Sequence, residues 1–568
     1  MQNKTSFVPV QLNPAKWEEL EILFSSLKQR EIQTADELAT WLEDFSQLSA
    51  VISEYGSRCS IEKACHTDDP RAEKRFLHFV EEISPRVKPL VFELEKKFLA
   101  CEHRKQMADK KFGLLEREWA VEVEIFRPEN IDLQTQVTKL ASEYDKLCGA
   151  MMVEFQGTTH TMQQMARFSE QQDRAIRESA YRAAEQRRLQ DRQSIDTLFD
   201  GLMGLRNQIA TNAGLNNFRE YAWKTYGRFD YTPQDCRRFA EAIEKWVVPV
   251  VEKLNEKRKH DLRVGQLRPW DLQVDVQGRQ ALKPFDPNHI DDFVHKTKAV
   301  FDQVSPKLGE MFGRLKMQRN LDLESRAGKR PGGFQSSLEV IKEPFIFMNA
   351  AGLHRDVETM LHEAGHAFHY QQACREELVF VRHAPIEFCE VASMSMELIG
   401  GEYLHPFYES SQDRLRAKQQ HLEGIIRILP WIACIDQFQH SLYHSTAVTS
   451  AQERQNLWLN LYSQFSSKTV DWQGLENSKA ALWQRQIHLF SYPFYYIEYG
   501  IAQLGALQVW QNYKQDRQQA LESLLQAFAL GGTRPLPKLF EAAGIQFDFS
   551  QEILRPLMAM VEQELGLS

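Results

Sequence analysis

What this chain lacks narrows its class before any motif is read. It has no C-x-x-C pair: Cys59, Cys65, Cys101, Cys148, Cys236, Cys374, Cys389 and Cys434 are scattered along the sequence. That scatter suits a reducing compartment, so a cytoplasmic location is expected. It has no apolar run long enough to span a bilayer. The most apolar, residues 424–435, is short, contains Arg427 and Pro430, and reads as a buried helix end. The first residues, Met1 to Pro9, lack the apolar core of a signal peptide. Basic charge is not in excess either: the net charge is -9 and the pI about 6.1, which argues against nucleic acid or an anionic membrane as the main partner. Internal repeats and low-complexity linkers are missing too. The 568 residues, ample for a large core, are therefore expected to form interleaved lobes, not domains on a tether.

What is there is mostly helical. Residues 14–110 alternate amphipathic stretches with polar breaks such as Thr67-Asp68-Asp69-Pro70. Residues 89–117 and 133–193 read as long helices rich in Glu, Lys, Arg and Gln. No a/d heptad persists in them, so they are read as walls of a helical lobe and not as a coiled coil. Thr232-Pro233-Gln234-Asp235 supplies a capping hydroxyl and a first-turn proline, the signature of a helix start. Arg268-Pro269-Trp270 breaks the pattern before another start near Asp286-Pro287-Asn288.

The chemistry centres on His362-Glu363-Ala364-Gly365-His366. Two histidines four apart sit on neighbouring turns of one helix face, where both imidazoles reach a single ion. Val357, Met360, Leu361, Ala364 and Phe368 trace a buried stripe at helical spacing, and the histidines fall opposite it. Glu363 points about 100° further round the helix. There it stands beside a metal and can take a proton from water that the metal activates. Gly365 costs a helix about 1 kcal/mol relative to alanine, so something is expected to approach the backbone at that point.

The third ligand is open on spacing alone. A histidine ten residues after the first is absent, since position 372 is Gln, and His369 is a poor third corner for a tetrahedron on the same helix. Residues 387–397 read as a second helix offering Glu387, Glu390 and Glu397. Ahead of the motif lies a non-helical island. The loop Gly328-Lys329-Arg330-Pro331-Gly332-Gly333 precedes residues 337–349, where Val340-Ile341 and Phe345-Ile346-Phe347 favour strands. An edge strand there would pair with an extended peptide, although a structural hairpin fits the stretch equally well. His440 and His444 also stand four apart, without an adjacent Glu, and read as core or surface residues. The tail segment 488–500 carries His488 and four tyrosines. Tyr492, Tyr496 and Tyr499 are expected on one helix face, with Pro493 in its first turn.

H-E-x-G-H-x-x-H followed by Glu390-Val391-Ala392-Ser393 resembles the thimet oligopeptidase and oligoendopeptidase F family of zinc metallopeptidases, on its oligoendopeptidase F side. The resemblance implies that the third ligand is Glu390, with Glu387 and Glu397 in supporting roles, and one zinc per chain. Glu358 matches an acidic position of the family's active-site helix and is expected to orient a ligand imidazole. It also implies that His488 and a tyrosine pair contact the peptide. The spacing from the histidine is one residue shorter than in the thimet branch. Tyr495 thus remains an alternative to Tyr496 as partner of Tyr499. Gly531-Gly532-Thr533-Arg534-Pro535 matches the family's closing segment, and the matching motifs cover residues 200–550.

The reading is therefore a mainly α fold of two interleaved helical lobes enclosing an active-site channel, with a small β-sheet beside the zinc helix. Residues 1–200 form an N-terminal helical lobe and 201–568 the catalytic region. Metal ligands are His362, His366 and Glu390; catalytic groups are Glu363, His488, Tyr496 and Tyr499. The activity expected is hydrolysis of short peptides. The alternatives are a zinc carboxypeptidase on a similar scaffold, which would need a cationic pocket, and a non-catalytic peptide-binding protein, against which an intact Glu363 counts.

Overall fold

Helices begin where the sequence supplies caps. The computed structural model describes residues 6–107, 112–326, 328–330, 332–444 and 450–567. Residues 1–5 and Pro331 of the glycine-rich loop, both read above, lie outside the described residues. The Thr34 hydroxyl accepts from the Glu37 amide at the head of Ala35–Cys65. Asp235 accepts from the Thr232 amide at 2.7 Å, starting Pro233–Trp246 where the Thr-Pro-Gln-Asp sequence predicts it. Among the described residues no helix is long and apolar enough to cross a membrane, and all eight cysteines are free.

Both long charged helices are interrupted. Over 89–117 one helix, Ser84–Ala100, stops, and another resumes at Gly113–Ile125. Within 133–193, helix Asn130–Gly149 gives way to a hairpin of β1 (Met152–Phe155) and β2 (Thr158–Thr161), and Arg174–Gln190 follows. Gln156 and Gly157 at its tip have φ of 51° and 77°. Two successive left-handed residues are what a tight two-residue hairpin turn requires. The charged periodicity around them masked that turn in the sequence.

The chain divides into two compact units of three stretches each. One comprises Met1–Glu124, Leu282–Lys418 and Gly505–Phe547. Its helical core is built on Trp41, Phe45, Phe98 and Trp119, with Trp119 edge-on to Phe98 at 5.0 Å. The same unit holds a mixed sheet of β3 (Leu321–Glu324), β4 (Phe334–Leu338) and β5 (Glu343–Ala350), in the order β3-β5-β4. Central β5 runs parallel to β3 and antiparallel to β4, so β4 is an edge. Ile346, Phe347 and Met348 are buried, and the sheet lies against helix His354–Ala373. Lys329 is buried and donates to Asp322 Oδ1 at 2.8 Å and to the Met348 carbonyl, which ties the loop after β3 to the sheet.

Val340-Ile341, read as strand-forming, stand in the β4–β5 turn instead. Both are about half exposed, and their amides donate to Glu54 Oε2 at 2.7 and 3.1 Å. A carboxylate that satisfies two successive amides overrides β propensity at a turn.

The second unit comprises Ile125–Ala281, Gln419–Leu504 and Asp548–Ser568. Buried Arg206 donates to the Tyr443 hydroxyl at 2.7 Å and to the Leu489 carbonyl at 2.9 Å. Tyr144 stacks on Phe490 with centroids 3.8 Å apart. These contacts hold the segment that carries His488.

In the first unit, helix His354–Ala373 crosses helix Ile386–Gly400 at Gly365. A Cβ there would stand 2.5 Å from Ser393 Cα and 2.7 Å from the Ala392 carbonyl oxygen. The neighbour the sequence anticipates is thus the backbone of the second helix, and neither backbone can yield. Gly365→Ala should gain helix propensity yet lose a net of about 1–3 kcal/mol to overpacking. Gly204→Ala, on a helix where nothing lies within 4 Å of the added carbon, should instead gain about 0.5–1 kcal/mol. Thermal unfolding of the two variants checks this: Tm should fall in the first and not in the second.

Candidate active site

The crossing brings three ligand atoms together. His362 Nε2 and His366 Nε2 are 3.2 Å apart, and Glu390 Oε2 lies 3.5 and 3.6 Å from them. Tetrahedral zinc with bonds of about 2.0–2.2 Å needs ligand atoms about 3.3–3.6 Å apart. The donor set fits zinc in type and in spacing. His362 and His366 come from one helix and Glu390 from the other, so the glycine contact sets the gap between them.

The far side of each ligand is held. His362 Nδ1 donates to Glu397 Oε1 at 2.6 Å, and His366 donates to the Cys389 carbonyl. With both Nδ1 protons engaged, both Nε2 lone pairs turn inward, towards a carboxylate oxygen. Three acceptors facing one another need a cation or a proton between them. Among the protein's own groups a proton serves: burial opposes it, but Glu397 and then Glu390 hold His362 up to about 10, while burial and His362 push His366 down. The Ser393 hydroxyl shares its one hydrogen between Glu390 Oε2 at 3.1 Å and the Glu390 carbonyl at 3.0 Å.

Glu363 is buried beside this group and accepts from the Gln335 amide of edge strand β4. Burial raises its carboxyl to about 7 against the pull of His362. A carboxylate with that proton affinity can both take and return a proton near neutral pH.

The remaining expected residues fall as follows. Glu387 is buried on the same helix as Glu390 but is not one of the three converging groups. Glu358 lies 3.4 Å from His354, and the carboxylate on His362 is that of Glu397. His369 is packed between Phe388 and Phe528, and burial drives it down to about 3, so it is a neutral core residue. His440 is buried 3.3 Å from Asp436, and exposed His444 meets Arg219.

The tail departs from expectation in conformation. Tyr492, Tyr496 and Tyr499 do not share a helix: residues 492–496 form turns, Phe494 has φ 68°, and the helix starts at Ile497. Gln439 accepts from the Phe494 amide, and buried Arg228 pairs with Glu498 at 2.8 Å while donating to the Phe494 carbonyl. These contacts hold a backbone that sequence periodicity does not reveal. The turn still gathers the rings. His488 lies 4.8 Å from Tyr496 and 5.8 Å from Tyr499, with Tyr495 at 5.9 Å and half-exposed Tyr492 at 6.4 Å. Burial lowers His488 to about 4 and raises Tyr496 to about 12, so both are neutral at pH 7. This cluster lies entirely within the second unit.

Sequence reasoning missed the Gln335 amide on Glu363 and the Gln486 side chain, whose Nε2 stands 2.6 Å from His488 Nδ1. No motif signals a backbone amide. Gln486 stood two residues before a singled-out histidine and went unread.

Residues 167–559 match the sequence model of Peptidase family M3, and residues 7–126 match that of the Peptidase M3 N-terminal domain. The chain is 22% identical over 404 residues to Oligopeptidase PepF of Bacillus subtilis, a match covering 70% of this chain and 58% of that protein. It is 23% identical over 299 residues to an Oligoendopeptidase F homolog of Borreliella burgdorferi, covering 51% and 49%. The matched stretch thus spans about half the length of these curated relatives. Among solved structures, PZ peptidase A with an inhibitor superposes at a TM-score of 0.89 with 28% identity, covering 99% of each chain. Oligoendopeptidase F from Enterococcus faecium, at 15% identity and a TM-score of 0.66, shares the fold over 97% of this chain and 96% of that one.

Replacing each carboxylate by its amide should rank the metal site. Glu390→Gln should weaken zinc binding most, Glu397→Gln should cost about 10- to 100-fold, and Glu387→Gln least. Competition against a chelator measures this, and a different order would mean that the wrong residue of this helix is read as the ligand.

Proposed function

The chain belongs to peptidase family M3, and we propose that it is a zinc-dependent endopeptidase acting on short, unstructured peptides in the cytoplasm. The observation that carries the reading is the triangle of His362, His366 and Glu390, with Glu363 buried beside it. Zinc held there supplies a Lewis acid that polarises the scissile carbonyl and makes water a better nucleophile. Glu363 takes the proton from the attacking water on its carboxylate and hands it to the leaving amine. An extended peptide adds to the edge of β4, and the Gln335 amide of that strand is already tied to Glu363, so the strand and the base stay in register. His488, Tyr496 and Tyr499 donate to the carbonyl oxygen as it gains charge; the neutral forms of His488 and Tyr496 carry the protons such an oxyanion wants. Residues 201–568 contain every group named and form the catalytic region.

Two experiments test this. Glu363→Gln should keep about one zinc per chain while turnover of an internally quenched peptide falls about 100- to 10,000-fold. Protein purified without chelator that holds no zinc, or near-normal turnover in this variant, would refute the reading. The peptide should be amidated at its C-terminus, because internal cleavage of a blocked peptide separates an endopeptidase from a carboxypeptidase. Tyr496→Phe and Tyr499→Phe should leave zinc content and Tm intact and lower kcat about 100- to 1000-fold, with KM changed little. Normal turnover in both would return the tyrosines to packing.

A further inference from the structure

Gln486 is buried, and its amide meets fixed partners at both ends. Its Oε1 accepts from Trp431 Nε1 at 2.8 Å. An indole N–H can only donate, so this contact identifies which end of the amide is oxygen. Trp431 is itself wedged edge-on against Trp458 and Tyr462, with centroids at 5.4 and 6.4 Å. The Gln486 nitrogen must then be the atom facing His488 Nδ1 at 2.6 Å. An amide nitrogen has no lone pair to offer a hydrogen, so Nδ1 must accept and carries no proton. A neutral imidazole in that position holds its proton on Nε2.

We propose that Gln486, oriented by Trp431, is a positioning residue that sets His488 in the Nε2–H form and leaves it as a hydrogen-bond donor. The proposal rests on the reading above that His488 donates to the substrate's carbonyl oxygen. The sign of the interaction hangs on this one amide. With the proton on Nδ1, the Nε2 lone pair would face a developing anion and repel it.

The test has a structural and a kinetic arm. Neutron diffraction from a deuterated crystal of the zinc-loaded full chain should show deuterium on His488 Nε2 and none on Nδ1. Deuterium on Nδ1 alone overturns the proposal whatever the kinetics show. Gln486→Glu keeps an acceptor for Trp431 but presents a carboxylate oxygen to Nδ1 and draws the proton there. It should retain zinc, Tm and KM while kcat falls on the order of 100-fold. Trp431→Phe frees the amide to rotate and should show a smaller fall in kcat. A Gln486 that merely packed would lower Tm or zinc content in Gln486→Glu without a selective loss of kcat, and that result overturns the proposal. So does normal kcat in Gln486→Glu when His488→Ala is impaired. Normal kcat in His488→Ala overturns the donor role itself, and the diffraction result then shows whether the orientation survives without it.

Discussion

The structure of the candidate centre depends on one contact, that of Gly365 with the backbone of Ala392 and Ser393. Two helices ordinarily pack with axes about 8–10 Å apart, separated by their side chains. Here one side chain is missing and the facing pair is small, so backbone meets backbone. A glutamate side chain is short. It reaches within 3.6 Å of both histidines because the helices are this close. Gly505 and Gly400 are close-packed in a different way, against side chains: a Cβ at the first would press on the Val391 side chain at 2.8 Å, and one at the second on the Leu361 side chain at 2.8 Å.

A second regularity is that a fixed partner decides where protons sit. Glu397 and the Cys389 carbonyl hold the outer nitrogens of His362 and His366, so their lone pairs face inward. In the other unit Gln486 does the opposite for His488 by donating to its Nδ1. The same residue type is thus prepared as an electron-pair donor in one place and as a hydrogen donor in the other. The difference is the chemistry of the partner, a carboxylate or carbonyl against an amide nitrogen.

The readings that failed share a cause. Charged residues at helical spacing across 133–193 suggested unbroken helix, and a two-residue turn at Gln156-Gly157 was enough to break it. Tyr492, Tyr496 and Tyr499 have helical spacing, but only Tyr499 is in the helix; Tyr492 and Tyr496 stand on turns held by Arg228 and Gln439, which lie hundreds and tens of residues away in the chain. Periodicity reports which residues would share a face if a helix formed. It does not report whether partners elsewhere will pay for another backbone.

The sequence by itself determined the helical class, the two histidines on one face with Glu363 beside them, and the need for a close neighbour at Gly365. Each of these follows from the 3.6-residue repeat or from the properties of one residue type, both local. Among Glu387, Glu390 and Glu397, spacing alone left the choice open. The tertiary structure places Glu390 with the histidines and Glu397 on the back of His362, because the distance between two helices is not written in either one. The proton positions on His362, His366 and His488 were likewise decided only in three dimensions, where an imidazole's tautomer follows from the atom that touches it.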